Sequence, residues 1–348
     1  MAKILVTGGA GYIGSFMVRY LKEKGFKVVI ADNLSCGHKE AIADFDLRVI
    51  DLATEKRKLE ALFAKEKFVG VIHMAGFIQM GESFENPAKY FNNNLLCALN
   101  LMETMVKYKV SNFIFSSSAG VYGNPVNLPI RENDPKVPLN PYGETKYMIE
   151  KMLEWYDRAY GLRFMAIRYF NAAGAVLDGS VGEDHPHESH LIPLAIKALL
   201  ENREFTVFGD DYQTPDGTCI RDYIHVLDLV ETHTKALEKL LSGAPSNFYN
   251  AGVGRGYSNR EVLQAIEEVS GKKMKIVYGP RRQGDADSLY ASIDKIKKDF
   301  NWSPKYTLED IVKTAYLWHK NHPNGYCIYA NSRSDRNPVH LTRPPRDI

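Results

Sequence analysis

The sequence has 348 residues, enough for one large α/β unit or about two domains. Lys and Arg number 44 and Asp and Glu 42, so the formal net charge of +2 argues against a protein that mainly binds nucleic-acid backbone. No apolar run reaches the length of a membrane span, and the N-terminal segment lacks the pattern of a signal peptide. The four cysteines are scattered and form no CxxC pair, which disfavours a disulfide framework. We therefore expect a reduced, cytoplasmic protein without a nucleic-acid or membrane partner.

The first 170 residues alternate short apolar runs with helical patterns. Strands are predicted at Lys3–Thr7, Lys27–Ala31, Leu47–Ile50, Gly70–His73, Asn112–Ser116 and Phe164–Arg168. Helices are predicted at Phe16–Glu23, Leu59–Lys67, Asn93–Tyr108 and Tyr142–Tyr160. This alternation is typical of βαβ units, and it predicts a parallel sheet with helices on both faces.

A glycine-rich turn separates the first predicted strand from the first predicted helix. It contains the pattern Gly9-x-Gly11-x-x-Gly14 and the overlapping register that starts at Gly8. Such a turn lets backbone N–H groups approach a pyrophosphate at the start of a helix. Asp32 ends the second strand, where an acid accepts hydrogen bonds from the adenine ribose and repels a 2′-phosphate, so NAD is favoured over NADP. The alternative is a glycine turn of another α/β protein, with Asp32 a solvated loop acid.

Tyr142 and Lys146 are four residues apart at the start of a predicted helix, so their side chains share one face. A nearby ammonium stabilises phenolate and makes a tyrosine a better base. Ser118 follows a predicted strand, at the edge of the sheet where α/β proteins bind ligands. Together these residues predict a catalytic site, although YxxxK alone is more often an exposed helix face.

Residues 171–325 have less regular patterns, with turn-rich stretches at Ala172–His190 and Phe208–Asp222 and a helical pattern at Asn259–Val269. We predict a Rossmann-type doubly wound parallel sheet with a smaller mixed α/β substrate-binding domain. The dinucleotide-binding domain is expected at 1–170, and segments near Ile224–Leu241 (224–250 in all) return to it. The substrate-binding part is expected at 171–325, followed by a weakly folded tail at 326–348.

The sequence as a whole resembles the nucleotide-sugar 4-epimerases of the UDP-glucose 4-epimerase type, within the extended short-chain dehydrogenase/reductase family. The resemblance runs from Lys3 to about Tyr326. It is carried, in the family's order, by TGGAGYIGS, ADNLS, HMAG, NNN, SSSAGVYG, PYGETK, RYFNAAGA, HLIP, DGTCIRDYIHV and RRQGD.

The resemblance implies a role for individual positions. The catalytic residues would be Ser118, Tyr142 and Lys146, which also contact the cofactor. The other residues expected to bind NAD are Gly8, Gly11, Tyr12, Ile13, Gly14, Asp32, Asn33, Leu34, Ser35, Cys36, Gly37, Asp51, Leu52, Met74, Ala75, Gly76, Phe77, Ile78, Asn94 and Phe170. With Ser118 and Tyr142, the residues expected to bind the UDP-sugar are Asn171, His190, Leu191, Thr206, Val207, Phe208, Arg221, Arg282, Gln283, Gly284, Asp285 and Leu289.

Two positions depart from the pattern of several relatives. Ile78 stands where some relatives have a lysine, and Leu289 stands where some have a tyrosine in the sugar pocket. The resemblance implies reversible epimerisation of UDP-glucose and UDP-galactose at C4, through a 4-keto intermediate, by a homodimer. UDP-N-acetylhexosamine and UDP-pentose epimerases remain alternatives. A 4,6-dehydratase is less favoured because Ser117, Ser118 and Ala119 include no acid, and a non-catalytic NAD sensor would be expected to lack Tyr142 or Lys146.

The segment EDHPHESH contains three histidines and three acids between Glu183 and His190. Imidazoles and carboxylates at such spacing can bind a metal ion. We interpret the segment instead as a polar loop over the nucleotide site and expect no metal, because the spacing alone does not fix a tetrahedral geometry.

Overall fold

The structure, a computed structural model, describes residues 1–282 and 285–326. The strands are β1 (Lys3–Thr7), β2 (Lys27–Asp32), β3 (Asp46–Val49), β4 (Gly70–His73), β5 (Asn112–Ser116), β6 (Arg163–Tyr169), β7 (Asn171–Ala173), β8 (Glu204–Phe208), β9 (Ile220–Arg221), β10 (Tyr223–His225), β11 (Asn247–Ala251), β12 (Tyr257–Ser258), β13 (Lys275–Gly279) and β14 (Ser288–Leu289). The helices are α1 (Tyr12–Glu23), α2 (Lys56–Lys65), α3 (Met80–Glu85), α4 (Pro87–Tyr90), α5 (Leu96–Lys107), α6 (Pro141–Tyr160), α7 (Leu191–Leu200), α8 (Val226–Leu241), α9 (Asn259–Ser270), α10 (Asp294–Phe300) and α11 (Leu308–Asn321).

Seven parallel strands form the main sheet in the order β11-β6-β5-β4-β1-β2-β3. The central strands are apolar along their whole length because both faces of the sheet are covered. Helices α1 and α8 pack on one face, and α2, α5 and α6 pack on the other. The predicted fold class, a Rossmann-type doubly wound sheet, is confirmed.

A third apolar core holds the smaller part of the molecule together. It joins α7, α9 and α11 to the two-stranded parallel sheet of β8 and β13. Two further small sheets have the strand orders β10-β7 and β12-β9-β14, and their strands alternate along the chain with the elements of this core. Among the described residues, no helix is long and apolar enough to cross a membrane.

The segment expected to return to the main sheet reaches it through a helix and an edge strand. The strand at Tyr223–His225, at the start of that segment, pairs with β7 in a separate small sheet. Helix α8 packs on the main sheet, and β11 adds the strand at its edge by pairing with β6. The short β10 leads directly into α8, and its own backbone partner is the segment that follows β6.

The order of the strands places the expected ligand site. β1 is flanked by β2 on one side and β4 on the other, and the connections from these strands diverge there. Ligands of open α/β sheets bind at such a switch point, beyond the carboxyl ends of the strands. The loops that begin at Gly8, Asn33 and Met74 therefore meet at one edge of the sheet.

Candidate active site

The turn between β1 and α1 needs glycine at two positions for different reasons. Gly8 has a φ of +71°, and a Cβ there would lie 2.6 Å from the backbone nitrogen of Ala75. A Cβ on Gly14 would lie 2.0 Å from the carbonyl oxygen of Gly8, within the first turn of α1. Because Gly8 has no side chain, the turn can contact the backbone of the loop after β4. Because Gly14 has none, the first turn of α1 can pack directly on the turn at Gly8.

Asp32, at the end of β2, is buried beside this turn. Its carboxylate accepts hydrogen bonds from the backbone N–H groups of Ala10, at 2.9 Å, and Leu34, at 2.8 Å. Burial raises the pKa of Asp32, and the two backbone donors oppose that shift. Each carboxylate oxygen retains a second lone pair, so the side chain can still accept a hydrogen bond from a ribose hydroxyl.

A cleft runs along this edge of the sheet. The predicted cofactor residues that line it are Gly8, Gly11, Asp32, Asn33, Ser35, Cys36, Gly37, Leu52, Met74, Ala75, Gly76 and Phe77. Ala31, Ile50, Asn93 and Cys97 also line it and were not predicted. Asn93 and Cys97 are four residues apart, so they share one face of a helix. This spacing is the signal in the sequence that could have placed the two residues together. The walls of the cleft are thus formed by the segments that follow β1, β2, β3 and β4, where α/β sheets bind dinucleotides.

The other predicted cofactor residues lie outside the lining of this cleft, namely Tyr12, Ile13, Gly14, Leu34, Asp51, Ile78, Asn94, Ser118, Tyr142, Lys146 and Phe170. Asp51 acts on the wall, because it accepts a hydrogen bond from Asn33 Nδ2 at 3.1 Å. Hydrogen bonds from Asn33, Ala53 and Thr54 outweigh burial and lower the pKa of Asp51. The charged form is thus the one that holds the loop after β3 against the loop after β2.

Asn94 connects the cofactor cleft to helix α6. It lies in a π-helical turn, Phe91–Leu95, that precedes α5, where the sequence predicts a single helix over Asn93–Tyr108. Its Oδ1 accepts from the Phe77 N–H at 2.9 Å, and its Nδ2 donates to Thr145 Oγ1 at 3.2 Å. Because Asn94 is buried, these bonds fix the loop after β4 relative to Tyr142 and Lys146.

Helix α6 begins at a well-defined point. The Asn140 side chain accepts a hydrogen bond from the Gly143 N–H at 2.8 Å, and Pro141 occupies the first helical position. This start places Tyr142 and Lys146 in the first two turns, on the face that packs toward the sheet, and both are buried. Ser118 stands in extended conformation two residues after β5 and accepts from the Gly120 N–H at 3.0 Å.

Ser118, Tyr142 and Lys146 come together as predicted from the sequence. The Ser118 hydroxyl lies near the Tyr142 phenol, close enough to lower its pKa. Lys146 Nζ donates to the Ser116 carbonyl at 2.8 Å and lies 5.8 Å from the centre of the Tyr142 ring. A substrate hydroxyl beside Ser118 would therefore be within reach of the phenol, with an ammonium behind it.

Burial dominates the electrostatics of this group. It raises the pKa of Tyr142, and the hydrogen bond with Ser118 only partly offsets that shift. Burial also lowers the pKa of Lys146 to about 8, against the attraction of Glu150. In the free protein, desolvation of the phenolate is therefore the larger effect on Tyr142, and the help expected from the Lys146 ammonium acts against it.

A buried ion pair supports the catalytic helix from behind. Arg168 on β6 contacts Glu150 on α6 through two bonds, Nε to Oε1 at 2.8 Å and Nη2 to Oε2 at 2.7 Å. Ser117 Oγ donates to the same carboxylate at 2.7 Å. The pair thereby joins α6, β6 and the end of β5, next to Ser118 and one turn beyond Lys146. Nothing in the sequence singles out this pair, since its members are 18 residues apart and belong to different elements.

Predicted substrate residues meet on the three-stranded sheet. Arg221 on β9 pairs with Leu289 on β14 in the strand register. The Arg221 guanidinium donates to the carbonyls of Ile220 and Ala286 and lies 3.5 Å from Asp285 Oδ1. These contacts hold the guanidinium in one orientation, as recognition of a phosphate group by its planar fork requires.

A second group of predicted substrate residues lies at the end of β8. The Arg282 guanidinium is 4.2 Å from the centre of the Phe208 ring. Thr206 is half-buried, and the Val207 side chain is buried in the third core, so only the backbone of Val207 is available to a ligand. Asn171 on β7 donates through both its backbone N–H and its Nδ2 to the Asp222 carbonyl. Gln283 and Gly284 lie outside the described residues.

His190 and Leu191, the remaining predicted substrate residues, stand at the start of α7. Leu191 packs against the third core, whereas His190 belongs to a compact group with Glu183, His185 and Glu188. The same loop contacts two parts of the cofactor-binding half. His38 Nε2 lies 3.2 Å from the Asp184 carbonyl, and Gln79 Nε2 donates to the His187 carbonyl at 2.6 Å.

Tyr12 and Tyr326 are tied to the same region. Tyr12 OH donates to the Gly174 carbonyl at 2.7 Å, so its side chain joins α1 to the loop after β7. Tyr326 packs on Trp318, and its backbone N–H donates to Asp184. Tyr326 is thus part of the folded body, where the sequence predicts the beginning of the tail, and residues 327–348 lie outside the described residues.

The model of the NAD dependent epimerase/dehydratase family matches residues 4–252. The chain belongs to this family. UDP-glucose 4-epimerase from Halalkalibacterium halodurans is 46% identical over 325 residues, 93% of this chain and 97% of the relative.

Solved structures of similar proteins agree with this assignment. The structure of UDP-glucose 4-epimerase from Bifidobacterium longum in complex with NAD+ and UDP has a TM-score of 0.88 and 36% identity, and the match covers 93% of this chain and all of that one. The UDP-Glc/GlcNAc 4-epimerase from Campylobacter jejuni has a TM-score of 0.81 and 41% identity, with 92% of this chain and 100% of that chain covered.

The cofactor of the epimerase/dehydratase family is NAD, and the residues present fit it. Side chains at Gly8 and Gly14 would collide with the backbone of the loop after β4 and of the turn itself, so glycine keeps compact the turn that a pyrophosphate would approach. Asp32 stands at the end of β2 beside that turn, where it can accept from ribose hydroxyls and disfavours a 2′-phosphate. The prediction of NAD is confirmed by the family, whereas the roles of the individual residues remain predictions.

Proposed function

We propose that the protein interconverts UDP-glucose and UDP-galactose by epimerisation at C4. The observation that carries the proposal is the convergence of Ser118, Tyr142 and Lys146 beside a dinucleotide cleft, with Asn94 bonded to both the cleft loop and α6. The family and the high identity to UDP-glucose 4-epimerases support the choice of substrate.

In this proposal the chain's own groups move a proton and hold the substrate. Ser118 bridges the sugar 4-hydroxyl to the Tyr142 phenolate, which takes the hydroxyl proton and later returns it. Lys146 stabilises the phenolate and binds the ribose next to the nicotinamide. Bound NAD supplies a hydride acceptor for C4 and a positive charge that favours the phenolate.

Epimerisation also requires that the sugar turn over while the nucleotide stays in place. Arg221 and Arg282 would bind the diphosphate as charged, fork-shaped donors. Phe208, beside Arg282, offers an aromatic face for the uracil. The firm contacts of Arg221 with two backbone carbonyls suit a fixed diphosphate. The 4-keto sugar, held by fewer charged groups, can then present its other face.

The decisive experiment incubates the purified protein with UDP-galactose and follows UDP-glucose by nuclear magnetic resonance or chromatography. We expect reversible conversion to a mixture without added NAD if the cofactor is retained, or after NAD is supplied. A protein that binds NAD and yet leaves UDP-galactose unchanged would contradict the proposal. Conversion of UDP-N-acetylglucosamine alone would assign the second candidate function.

That second candidate, a UDP-N-acetylhexosamine 4-epimerase, is favoured by one observation. Leu289 is half-buried on β14, beside Arg221, where some relatives have tyrosine. Leucine is smaller than tyrosine and lacks its hydroxyl, so the pocket would be partly opened. A missing group of this kind typically changes discrimination by about 1–3 kcal/mol, which gives a preference and no absolute block. We therefore propose hexose epimerisation as the main activity, with slower N-acetylhexosamine turnover.

We further propose that the chain forms a homodimer through α5 and α6. Trp155 is 66% exposed and Tyr160 62% exposed on α6, and Leu96 on the neighbouring α5 is 41% exposed. Both helices pack on the same face of the main sheet, so a second copy related by a twofold axis would cover the same surface on each partner.

We also place the protein in the cytoplasm, since Cys36, Cys97 and Cys219 are free thiols in the part of the chain that the structure describes.

A further inference from the structure

Four side chains of the loop before α7 converge on one point. Glu183, His185, Glu188 and His190 each present a nitrogen or carboxylate oxygen, and these atoms all lie within 4.8 Å of one another. Both glutamate side chains are 6% exposed, and that of His185 is 13% exposed. The mechanism proposed above uses none of the four for proton transfer, and His190, which the resemblance places among the UDP-sugar residues, would serve here as a metal ligand instead.

The contacts within this group outnumber the hydrogens that its two Nδ1 atoms can carry. His185 Nδ1 lies 3.3 Å from Glu183 Oε1 and 3.2 Å from Glu188 Oε2. His190 Nδ1 lies 3.0 Å from the same Glu183 oxygen and 2.8 Å from Glu188 Oε1. A ring nitrogen carries at most one hydrogen, so each of the two Nδ1–H groups would have to be shared between two carboxylate oxygens to account for all four contacts. A metal ion bound by the two nitrogens and one oxygen of each carboxylate is the other arrangement that brings these atoms so close.

We propose that Glu183, His185, Glu188 and His190 form a binding site for one divalent transition-metal ion, with Zn²⁺ as the best fit. Zinc takes four nitrogen and oxygen ligands at about 2.0–2.2 Å, which sets neighbouring ligand atoms roughly 3.4 Å apart in a tetrahedron. The observed contacts are only slightly shorter. Two neutral imidazoles and two carboxylates balance the charge of a divalent ion, and a mixed N/O set disfavours Mg²⁺ and Ca²⁺, which prefer oxygen.

The surroundings of the group have the features of a structural metal site. Glu188 Oε1 accepts from the backbone N–H groups of Ser189 and His190, both at 2.8 Å, which orients the carboxylate. The Trp318 indole N–H donates to the Glu183 carbonyl at 2.9 Å. Four protein ligands would fill a tetrahedral site, so the ion would fasten the loop and would not open a position for substrate.

The competing interpretation is a ring of protonated histidines and carboxylates. Burial by itself would lower the pKa values of the two histidines, but the two carboxylates outweigh it and raise them to about 9 for His185 and about 10 for His190. Without a metal, both imidazoles would thus be cations at neutral pH. The geometry argues against the sequence-based expectation of no metal, and direct measurement of metal separates the two interpretations.

The test uses the full-length, untagged protein, stripped with a chelator and dialysed, with its NAD content and circular dichroism recorded. Co²⁺ is titrated while the visible absorption of tetrahedral cobalt is followed, and Zn²⁺ is then added in competition. We expect one ion per chain and a lower Tm after chelation. Glu188→Gln and His185→Asn should each weaken metal binding at least about a hundredfold, beyond what loss of an outer partner causes.

His187→Asn is the matched control, because His187 lies in the same loop outside the group. It should retain one ion per chain with wild-type affinity. The proposal is overturned if the wild-type protein binds less than one equivalent of Zn²⁺ at micromolar concentration, whatever the variants do. It is also overturned if His187→Asn weakens Co²⁺ binding as much as Glu188→Gln does.

Discussion

Tyr142 and Lys146 lie one turn apart on α6, and burial acts on their proton affinities in opposite directions. It raises the pKa of the phenol and lowers the pKa of the ammonium to about 8. Both shifts favour the neutral forms of the free protein. Formation of the Tyr142 phenolate therefore depends on the positive charge of bound NAD. In the free protein at pH 7, Lys146 is still an ammonium, and its burial lowers the free energy of unfolding.

Replacing Tyr142 with Phe removes the proton acceptor and leaves the ring in place. We expect turnover of UDP-galactose to fall at least about a hundredfold, the lower end for a positioned proton-transfer group, while NAD content stays unchanged. Tyr156→Phe, at a half-buried position about four turns further along the same helix, is the control and should keep full activity. Near-normal turnover of Tyr142→Phe would show that another group accepts the proton.

Lys146→Met should abolish turnover and weaken NAD binding, yet stabilise the free protein at pH 7. Because the pKa of Lys146 lies near 8 in the folded state and 10.5 in the unfolded chain, the unfolded chain binds more protons between these values. The free energy of unfolding of the wild-type protein therefore rises across that window, and below pH 8 the full cost of burial remains. The variant avoids this cost and loses the bond to Ser116, for a net gain of roughly 1–3 kcal/mol.

Denaturant unfolding of the NAD-free proteins at pH 7 and above pH 10 measures this effect. The difference between the Lys146→Met variant and the wild type should shrink as the pH rises. Lys151→Met, an exposed substitution on the same helix, should change stability by no more than about 0.5 kcal/mol at either pH. A variant that is less stable than the wild type at pH 7 would mean that Lys146 is held as a well-compensated cation.

Several residues of the site could be predicted from the sequence because their signals are local. Gly8, Gly14 and Asp32 follow from a turn between a strand and a helix, and Tyr142 and Lys146 follow from helical spacing. The Glu150–Arg168 pair and the group around Glu183 could not be predicted in the same way. Their geometry depends on side chains that tertiary packing brings together, and spacing along the chain does not encode it.

At the scale of elements, uninterrupted apolar runs such as β1, β4 and β5 were predicted with their observed ends. Errors occur where a tertiary contact overrides periodicity. The π-helical turn at Phe91–Leu95 replaces the start of a predicted helix, and it turns Asn94 toward Phe77 and Thr145. The three residues of β10 are too few to show an alternation of apolar and polar side chains, so the sequence could not tell whether β10 pairs with β7 or joins the main sheet.

The pairing of β9 and β14 gives a prediction for the substrate pocket. This register sets Leu289 beside Arg221, so residue 289 is expected to face the sugar. Leu289→Tyr should lower kcat/KM for UDP-N-acetylglucosamine more than for UDP-galactose, by roughly tenfold in the ratio, since the larger ring would exclude the acetamide group. Leu177→Tyr, in an exposed loop, should leave the ratio unchanged. Equal losses on both substrates would place residue 289 outside the pocket.

At the scale of the whole molecule, the exposed apolar side chains of α5 and α6 predict how copies associate. Trp155→Glu would put a charge at the centre of the proposed dimer surface, where burial of an unpaired carboxylate is unfavourable. We expect light scattering after size exclusion to report a dimer for the wild type and a monomer for the variant. Val126→Glu, at another exposed apolar position, should remain dimeric. A wild-type monomer at micromolar concentration would exclude the dimer.

The hydrogen bonds from His38 and Gln79 to the loop before α7 have a kinetic consequence. His38 immediately follows the wall of the cleft formed after β2, and Gln79 follows the wall formed after β4. Because one loop is bonded next to both walls, we expect opening of these bonds to loosen the walls and to speed the release of a dinucleotide held between them. The residence time of NAD would then depend on how often the loop detaches as well as on the contacts within the cleft.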